Sequence, residues 1–292
     1  MISVHPVRIG PDWHVVTTMY PARMLLANYS REKLVWDVQL PEGVDFTSLS
    51  ISCDGRIIVT GYYYTRGVDV WELQTGKHLF RMGPGGMTRV MLDPSARYVA
   101  LWPGRPRVLL DLVDRTERRF PGIGDVAGAA GRALDGTMLL PTTWRTLVYR
   151  LHSKTGEMEK VRVPGMGDVY EMWWSPREDQ IIVKDLGGLV SCRSSIESEP
   201  LWEHHYEGSE LHYNLTYSAD GRFVGFSFLS LKQTRVLDVT SGEAVRTIDE
   251  LASGHPYEGP SIMTSYGKIV NLETGEIDPG ASNWRWWRKI GA

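Results

Sequence analysis

The sequence predicts an all-β domain in which a four-stranded antiparallel unit is copied around a closed ring. Three observations carry that expectation. Asp-Gly pairs return between short apolar runs, at Asp54-Gly55, Asp135-Gly136 and Asp220-Gly221. A second set alternates with them, at Thr75-Gly76, Thr155-Gly156, Ser241-Gly242 and Thr274-Gly275. Such pairs reverse antiparallel hairpins, because glycine accepts the positive φ that a tight turn imposes. Finally, two hairpins recur at a period of roughly 40 residues, the spacing of a four-stranded blade. Blades of that kind close into a β-propeller, whose chemistry resides in its loops.

The elements follow in order, with strands lettered a to d from the central channel outward. The second repeat is the cleanest, with strands at 46–53, 56–64, 67–74 and 77–82 separated by Asp54-Gly55 and Thr75-Gly76. The third reads 88–92, 97–102, 107–112 and 118–121, and the fourth 129–134, 137–142, 146–151 and 158–163. The fifth is 169–175, 180–184, 189–194 and 201–205, and the sixth 213–218, 222–229, 234–239 and 244–248. A linker supports this register independently: Pro121-Gly122-Ile123-Gly124-Asp125-Val126 recurs as Pro164-Gly165-Met166-Gly167-Asp168-Val169. Both ends are less regular. Residues 268–272 and 276–278 give c and d of a last repeat, whose strand near 261–265 is poorly marked. Residues 13–20, 23–29 and 34–40 read as b, c and d of a first blade that lacks its inner strand. The expected supplier is 283–288, where Trp284, Trp286 and Trp287 resemble Trp173-Trp174 of the fifth inner strand. Pairing N- and C-terminal strands in one sheet would close the ring and remove exposed edges. Outer strands count to seven blades, with six as the alternative because the last repeat is short.

Length and composition fit one domain spanning residues 1–292. The chain is 42% hydrophobic and 23% charged with a net charge of −3, so it carries no basic footprint for nucleic acid or an anionic membrane. The opening MISVHPVRIG has neither a basic segment nor a long apolar one, and no run reaches the roughly 18 apolar residues of a spanning helix. Cys53 and Cys192 fall in different repeats and read as reduced thiols, so a cytoplasmic protein is expected. Eleven Trp and thirteen Tyr supply the rigid aromatics used on both β-faces and recognition surfaces.

This period and turn grammar resemble those of the WD-repeat and quinoprotein-like propeller superfamily over nearly the whole chain. The resemblance implies the propeller fold. WD repeats also carry Gly-His before strand a and Trp-Asp closing strand c. Here Trp36-Asp37 falls in a d-strand, and Gly254-His255 is the one Gly-His pair, so the repeats are degenerate.

In a propeller the a–b and c–d turns share one rim, and the b–c and d–a loops the other. Backbone geometry accounts for Asp54, Asp135 and Asp220 on the first rim. The second rim is expected to carry Tyr62, Tyr63, Tyr64 and Arg66; Trp102 and Arg105; Trp144 and Arg145; His204, His205, Tyr206 and His212; and His255, Pro256 and Tyr257. Tyr, Trp and Arg on loops dominate protein-binding hot spots, because they bury large areas at modest rotamer cost. The candidate partner surface is therefore Tyr62, Tyr63, Tyr64, Arg66, Trp102, Arg105, Trp144, Arg145, Tyr206 and Tyr257. The alternative use of such rings is to cap the blade interfaces.

Catalytic and metal chemistry find less support. His204, His205 and His212 lack the further ligands of a coordination shell, and adjacent strand residues point to opposite faces. The Gly-rich linkers at 122–126 and 165–169 precede no Lys-Ser/Thr and open no helix, so they form no phosphate cradle. Neither a metal nor another cofactor is expected. Asp125, Asp168, Glu171 and Glu258 would be the acid/base carboxylates of a hydrolase or lactonase-like enzyme working at the channel mouth. The sequence favours the other class: a non-catalytic propeller that binds another protein as adaptor, inhibitor or immunity-type neutralising partner.

Overall fold

The computed structural model describes residues 2–19, 23–40, 46–62, 67–83, 89–102, 107–120, 130–132, 135–141, 146–206, 213–252, 254–264 and 267–280. Its strands fall into seven antiparallel sheets of four, each built from four consecutive strands, with no α-helix among the described residues. Blade one is β1 (Ile2–Ile9), β2 (Asp12–Met19), β3 (Arg23–Asn28) and β4 (Lys33–Gln39). Blade two is β5 (Phe46–Ile51), β6 (Ile57–Tyr62), β7 (Val68–Glu72) and β8 (His78–Met82). Blade three is β9 (Arg89–Leu92), β10 (Tyr98–Trp102), β11 (Arg107–Asp111) and β12 (Thr116–Phe120). Blade four is β13 (Ala130–Arg132), β14 (Thr137–Pro141), β15 (Leu147–His152) and β16 (Glu157–Arg162). Blade five is β17 (Val169–Trp174), β18 (Ile181–Asp185), β19 (Leu189–Arg193) and β20 (Pro200–His205). Blade six is β21 (Tyr213–Tyr217), β22 (Phe223–Phe228), β23 (Gln233–Asp238) and β24 (Ala244–Ile248). Blade seven is β25 (Gly254–Pro256), β26 (Ser261–Thr264), β27 (Ile269–Asn271) and β28 (Ile277–Asp278).

Burial follows the layers of the ring. All residues of β18 and β22 are buried, whereas four of the five in β24 are exposed. A b-strand is covered by a neighbouring blade on each face, so IIVKD and FVGFSF read as continuous runs rather than as alternation. The apolar side chains collect at seven seams between adjacent blades. One seam joins Val16, Met24 and Leu26 of blade one to Ile58, Tyr62 and Trp71 of blade two. Another joins Ile182, Val190 and Cys192 of blade five to Tyr217, Val224 and Phe226 of blade six.

Ring closure differs from the sequence expectation. The inner strand of blade one is β1, not residues 283–288, and it pairs with β2 from Ile2↔Met19 to Ile9↔Asp12. Residues 283–288 lie outside the described residues. The sequence hid β1 because Pro6 and its polar neighbours His5 and Arg8 blur the strand pattern. An innermost strand has one edge facing the channel, where the missing N–H of proline costs no ladder bond. Among the described residues, blades one and seven each possess their own four strands and meet by side-chain packing. Val15 and Ala27 pack against Tyr257 and Met263, flanked by Trp13 and Tyr29. The Trp13 and Tyr257 rings are 4.9 Å apart, and Tyr29 meets Tyr257 edge-on at 5.3 Å.

The turns behave as their composition dictates. Asp54 and Asp220 each accept a seryl hydroxyl, from Ser52 and Ser218, and a backbone N–H two residues ahead. Asp135 accepts the Thr137 N–H. On the c–d side the turns of blades two and six also serve the preceding blade. Trp36 Nε1 of β4 donates to Leu73 O at 2.8 Å, and Trp202 Nε1 of β20 donates to Val239 O at 2.7 Å. These indoles lie flat on the turn glycines, Gly76 at φ 69° and Gly242 at φ 74°. A Cβ at Gly76 would sit 2.8 Å from Trp36 Cδ2, and one at Gly242 would sit 2.6 Å from Trp202 Cγ.

Gly10, at φ 61°, has nothing within 4 Å of a built Cβ and isolates the backbone contribution. Gly10→Ala is expected to cost about 1 kcal/mol, the penalty for a left-handed L-residue. Gly242→Ala adds displacement of a packed indole and is expected to cost about 3 kcal/mol. Urea unfolding of the two variants measures both, and equal losses would show that the indole does not depend on the bare turn.

Candidate functional site

The structure divides the predicted partner residues into three groups. Tyr63, Tyr64, Arg66, Arg105, Trp144 and Arg145 lie outside the described residues. Trp102 closes β10 at the end that leads into the b–c connection. Tyr62, Tyr206 and Tyr257 are buried, at 1%, 3% and 8% exposure, and their rings serve blade seams instead of facing solvent. Tyr206 packs on Phe226 and Phe228, with its ring centroid 5.7 and 5.6 Å from theirs. Tyr257 follows β25 directly, so it belongs to the a–b turn of blade seven on the rim opposite the one expected. His255 and Pro256 are part of that inner strand rather than a loop. His204 lies in β20, where its Nε2 is 2.8 Å from Gly242 O.

Tyr62 joins a buried network in blade two. Trp71 Nε1 donates to Thr60 Oγ1 at 3.0 Å, and that hydroxyl is 2.8 Å from Tyr62 Oη. Asp69, fully buried, receives Arg81 through Nε and Nη2 at 2.8 and 2.7 Å and meets His78 Nε2 at 2.8 Å. Burial alone would push the Asp69 carboxyl up, but the Arg81 and His78 hydrogen bonds outweigh it and hold it below its ordinary value. Every polar group named here has a partner, and the network ties b, c and d of one blade together.

Of the candidate acid/base groups, Asp125 lies outside the described residues. Glu171 lies 3.5 Å from the buried Lys184 ammonium, and Glu258 is exposed on the a–b turn of blade seven. Burial pushes the Cys192 thiol up to about 12 and also raises that of Cys53, so neither is an activated nucleophile. Among the described residues no three His, Cys, Asp or Glu side chains converge as metal ligands.

One concave feature of the described residues lies on the channel side of three blades. A cavity of about 630 Å³ is walled by the inner strands of blades five, six and seven. Glu171, Trp173 and Trp174 contribute from β17, Asn214 and Thr216 from β21, and His255 from β25. It reaches the a–b turn of blade five at Pro176 and Glu178. Its third wall is thin because β25 has three residues and begins at a glycine. A Cβ at Gly254 would fall 1.9 Å from Met263 O, so the backbones of β25 and β26 fix that residue as glycine. Sequence reasoning missed this pocket because its residues are far apart in the chain and carry no local motif.

Outside the channel, the b–c turns of blades five and six expose Leu186, Leu229 and Leu231 at 39%, 49% and 50%. All three lie on the loop-bearing rim, on adjacent blades.

No protein-family model matches the chain, and no curated protein matches it. Solved structures do. The crystal structure of the Myceliophteria thermophila Cps50 (Swd1) β-propeller domain superposes with a TM-score of 0.65 at 15% identity, covering 94% of this chain and 98% of that one. At that identity the likeness shows the shared propeller fold.

Where the last blade meets the first, His5 and His255 rings lie 4.5 Å apart. Burial, then the neighbouring His255, push His5 well below the usual imidazole range, and burial brings His255 down to about 4. Both rings are uncharged in the folded ring, whereas the unfolded chain binds protons from about pH 6.5 downward. Stability therefore falls as pH drops from about 6.5 toward 4, by roughly 2 kcal/mol at pH 4.5 from His255 alone. Asp69, with its lowered value, contributes only below about pH 4 and leaves that window to the histidines. Thermal unfolding between pH 7 and 4.5 checks this: the H5N/H255N variant is expected to flatten the profile, and an unchanged slope would contradict the assignment.

Proposed function

We propose that this propeller is a non-catalytic binding protein that engages another protein through its b–c and d–a rim, as adaptor, inhibitor or neutralising partner. The observation that carries this reading is the exposed Leu186, Leu229 and Leu231 on neighbouring b–c turns. Exposed leucines grouped on one face of a closed sheet ring lose free energy to water that a partner surface would recover. The same rim is where the sequence places Tyr63, Tyr64, Arg66, Trp102, Arg105, Trp144 and Arg145, residue types that anchor interfaces. An immunity-type pairing with a cognate toxin is one specific form of this role. A net charge of −3 favours a protein ligand over nucleic acid or an anionic membrane, and the two free thiols fit a cytoplasmic setting.

Affinity capture with the native protein followed by competition tests this reading. The L186S/L229S/L231S variant is expected to weaken capture of the partner at least tenfold while its unfolding midpoint stays within 2 °C, since exposed sites contribute little to stability. Full retention of the partner by that variant, and by one changed at Tyr63, Trp102 and Trp144, would refute the assignment to this rim.

A further inference from the structure

We propose that the joint between blades one and seven is an acid-operated latch, in which protonation of His5 and His255 parts these two blades while the other joints stay closed. The two imidazoles come from neighbouring inner strands, His5 from β1 and His255 from β25, with ring centroids 4.5 Å apart and planes inclined at 40°. Both residues are half-buried, and His255 lines the channel cavity, so protons reach the pair from the channel side. At neutral pH the rings meet as uncharged groups. Once both bind protons, two like charges face each other where the protein screens them poorly, and separation relieves the repulsion.

This joint is also the one placed to part. A d–a linker tethers every other pair of neighbouring blades, whereas blades seven and one stand at opposite ends of the chain, and among the described residues no ladder joins them. Blade seven gives little support of its own, since its strands have three, four, three and two residues. The surrounding elements carry other ionisable groups. Arg8 shares β1 and is exposed; on β2, Asp12 accepts from Asn28 and pairs with Arg31, and His14 Nδ1 lies 3.2 Å from Asp12 O. The strands β5 and β26 carry none, β21 brings Tyr213 and Tyr217, and Glu258 is exposed on the turn after β25. Glu171, 3.5 Å from Lys184, and Glu178 line the same cavity. What depresses the two imidazoles is burial and, at His5, the charge of His255.

The closed pair is uncharged and the parted pair titrates near 6.5, so the open fraction grows as pH falls. Between pH 7 and 5 it rises about twentyfold through His255 alone, whose value in the closed ring is about 4, and further with His5. Parting bares Val15, Tyr257 and Met263, an apolar surface hidden at neutral pH. That surface belongs to blades one and seven, whereas Leu186, Leu229 and Leu231 sit on blades five and six, so the latch and the leucine rim stand or fall separately.

Thiol labelling of the full chain tests the latch. Val15 is fully buried on the blade-one side, and V15C/C53S places a thiol there while removing the exposed one. Cys192, buried between blades five and six, is the internal control. Rates with 4,4′-dithiodipyridine are normalised to free cysteine at each pH. The V15C thiol is expected to react at least about twentyfold faster at pH 5 than at pH 7, at a rate that about 1 M urea leaves unchanged, while Cys192 reacts more slowly and speeds up with urea. In the H5N/H255N background the V15C rate is expected to stay within about threefold between the two pH values. If that variant does not fold, the urea comparison in the histidine-bearing chain decides. A V15C thiol insensitive to acid overturns the proposal. So does one that shares the rate and urea dependence of Cys192, because acid would then unfold the whole ring at once.

Discussion

The structure depends on a seam that, among the described residues, no hydrogen-bonded sheet crosses. Each of the seven sheets is built from four consecutive strands, so among the described residues no ladder joins the last blade to the first. What holds them is packing: Val15 and Ala27 against Met263, with Tyr257 wedged between Trp13 and Tyr29. A ring with one unsealed joint would leave that apolar surface in water and open the channel. The other six seams share the same physics, but only this one must bring chain ends together, at the entropic cost of closing a loop nearly as long as the protein. Aromatic rings suit the task, since they bury large areas and lose few rotamers.

Between blades a second device acts at the outer turns. An outer-strand tryptophan sits on the next blade's c–d glycine and donates to its backbone, at Trp36 over Gly76 and at Trp202 over Gly242. Elsewhere arginine takes the role: Arg118 Nη1 reaches Gly156 O, and Arg246 Nε reaches Glu273 O. At the a–b turns the blades are tied through backbone, with Arg177 Nε donating to Asp220 O and Asp220 N–H to Gly259 O. The turn residues thus do two jobs, reversing their own chain and seating a neighbour. The rim bearing these contacts is committed to structure.

Much of this was legible in the sequence, for identifiable reasons. The turn pairs fixed blades two, four and six within a residue or two, because Asp-Gly, Thr-Gly and Ser-Gly encode backbone geometry that context seldom overrides. Asp54, Asp135 and Asp220 proved to be turn acceptors, as their position in the hairpins implied. The inner strand of blade one was not legible: Pro6 suppresses strand pattern, and its suitability at a channel edge is a property of the assembled ring. Tyr62, Tyr206 and Tyr257 look like loop aromatics in one dimension, yet each turns inward where a strand ends. The channel cavity was invisible for the opposite reason, since Glu171, Asn214 and His255 meet only after three blades are placed side by side.

A double-mutant cycle at Trp13 and Tyr257 tests ring closure most directly. Urea unfolding of W13A, Y257A and the double variant gives the energy that the two rings share across the joint. If packing between blades one and seven closes the propeller, Y257A costs about 3 kcal/mol or more and the pair couples by about 1 kcal/mol. A Y257A loss below about 0.5 kcal/mol with purely additive effects would mean that these rings do not hold the ring shut.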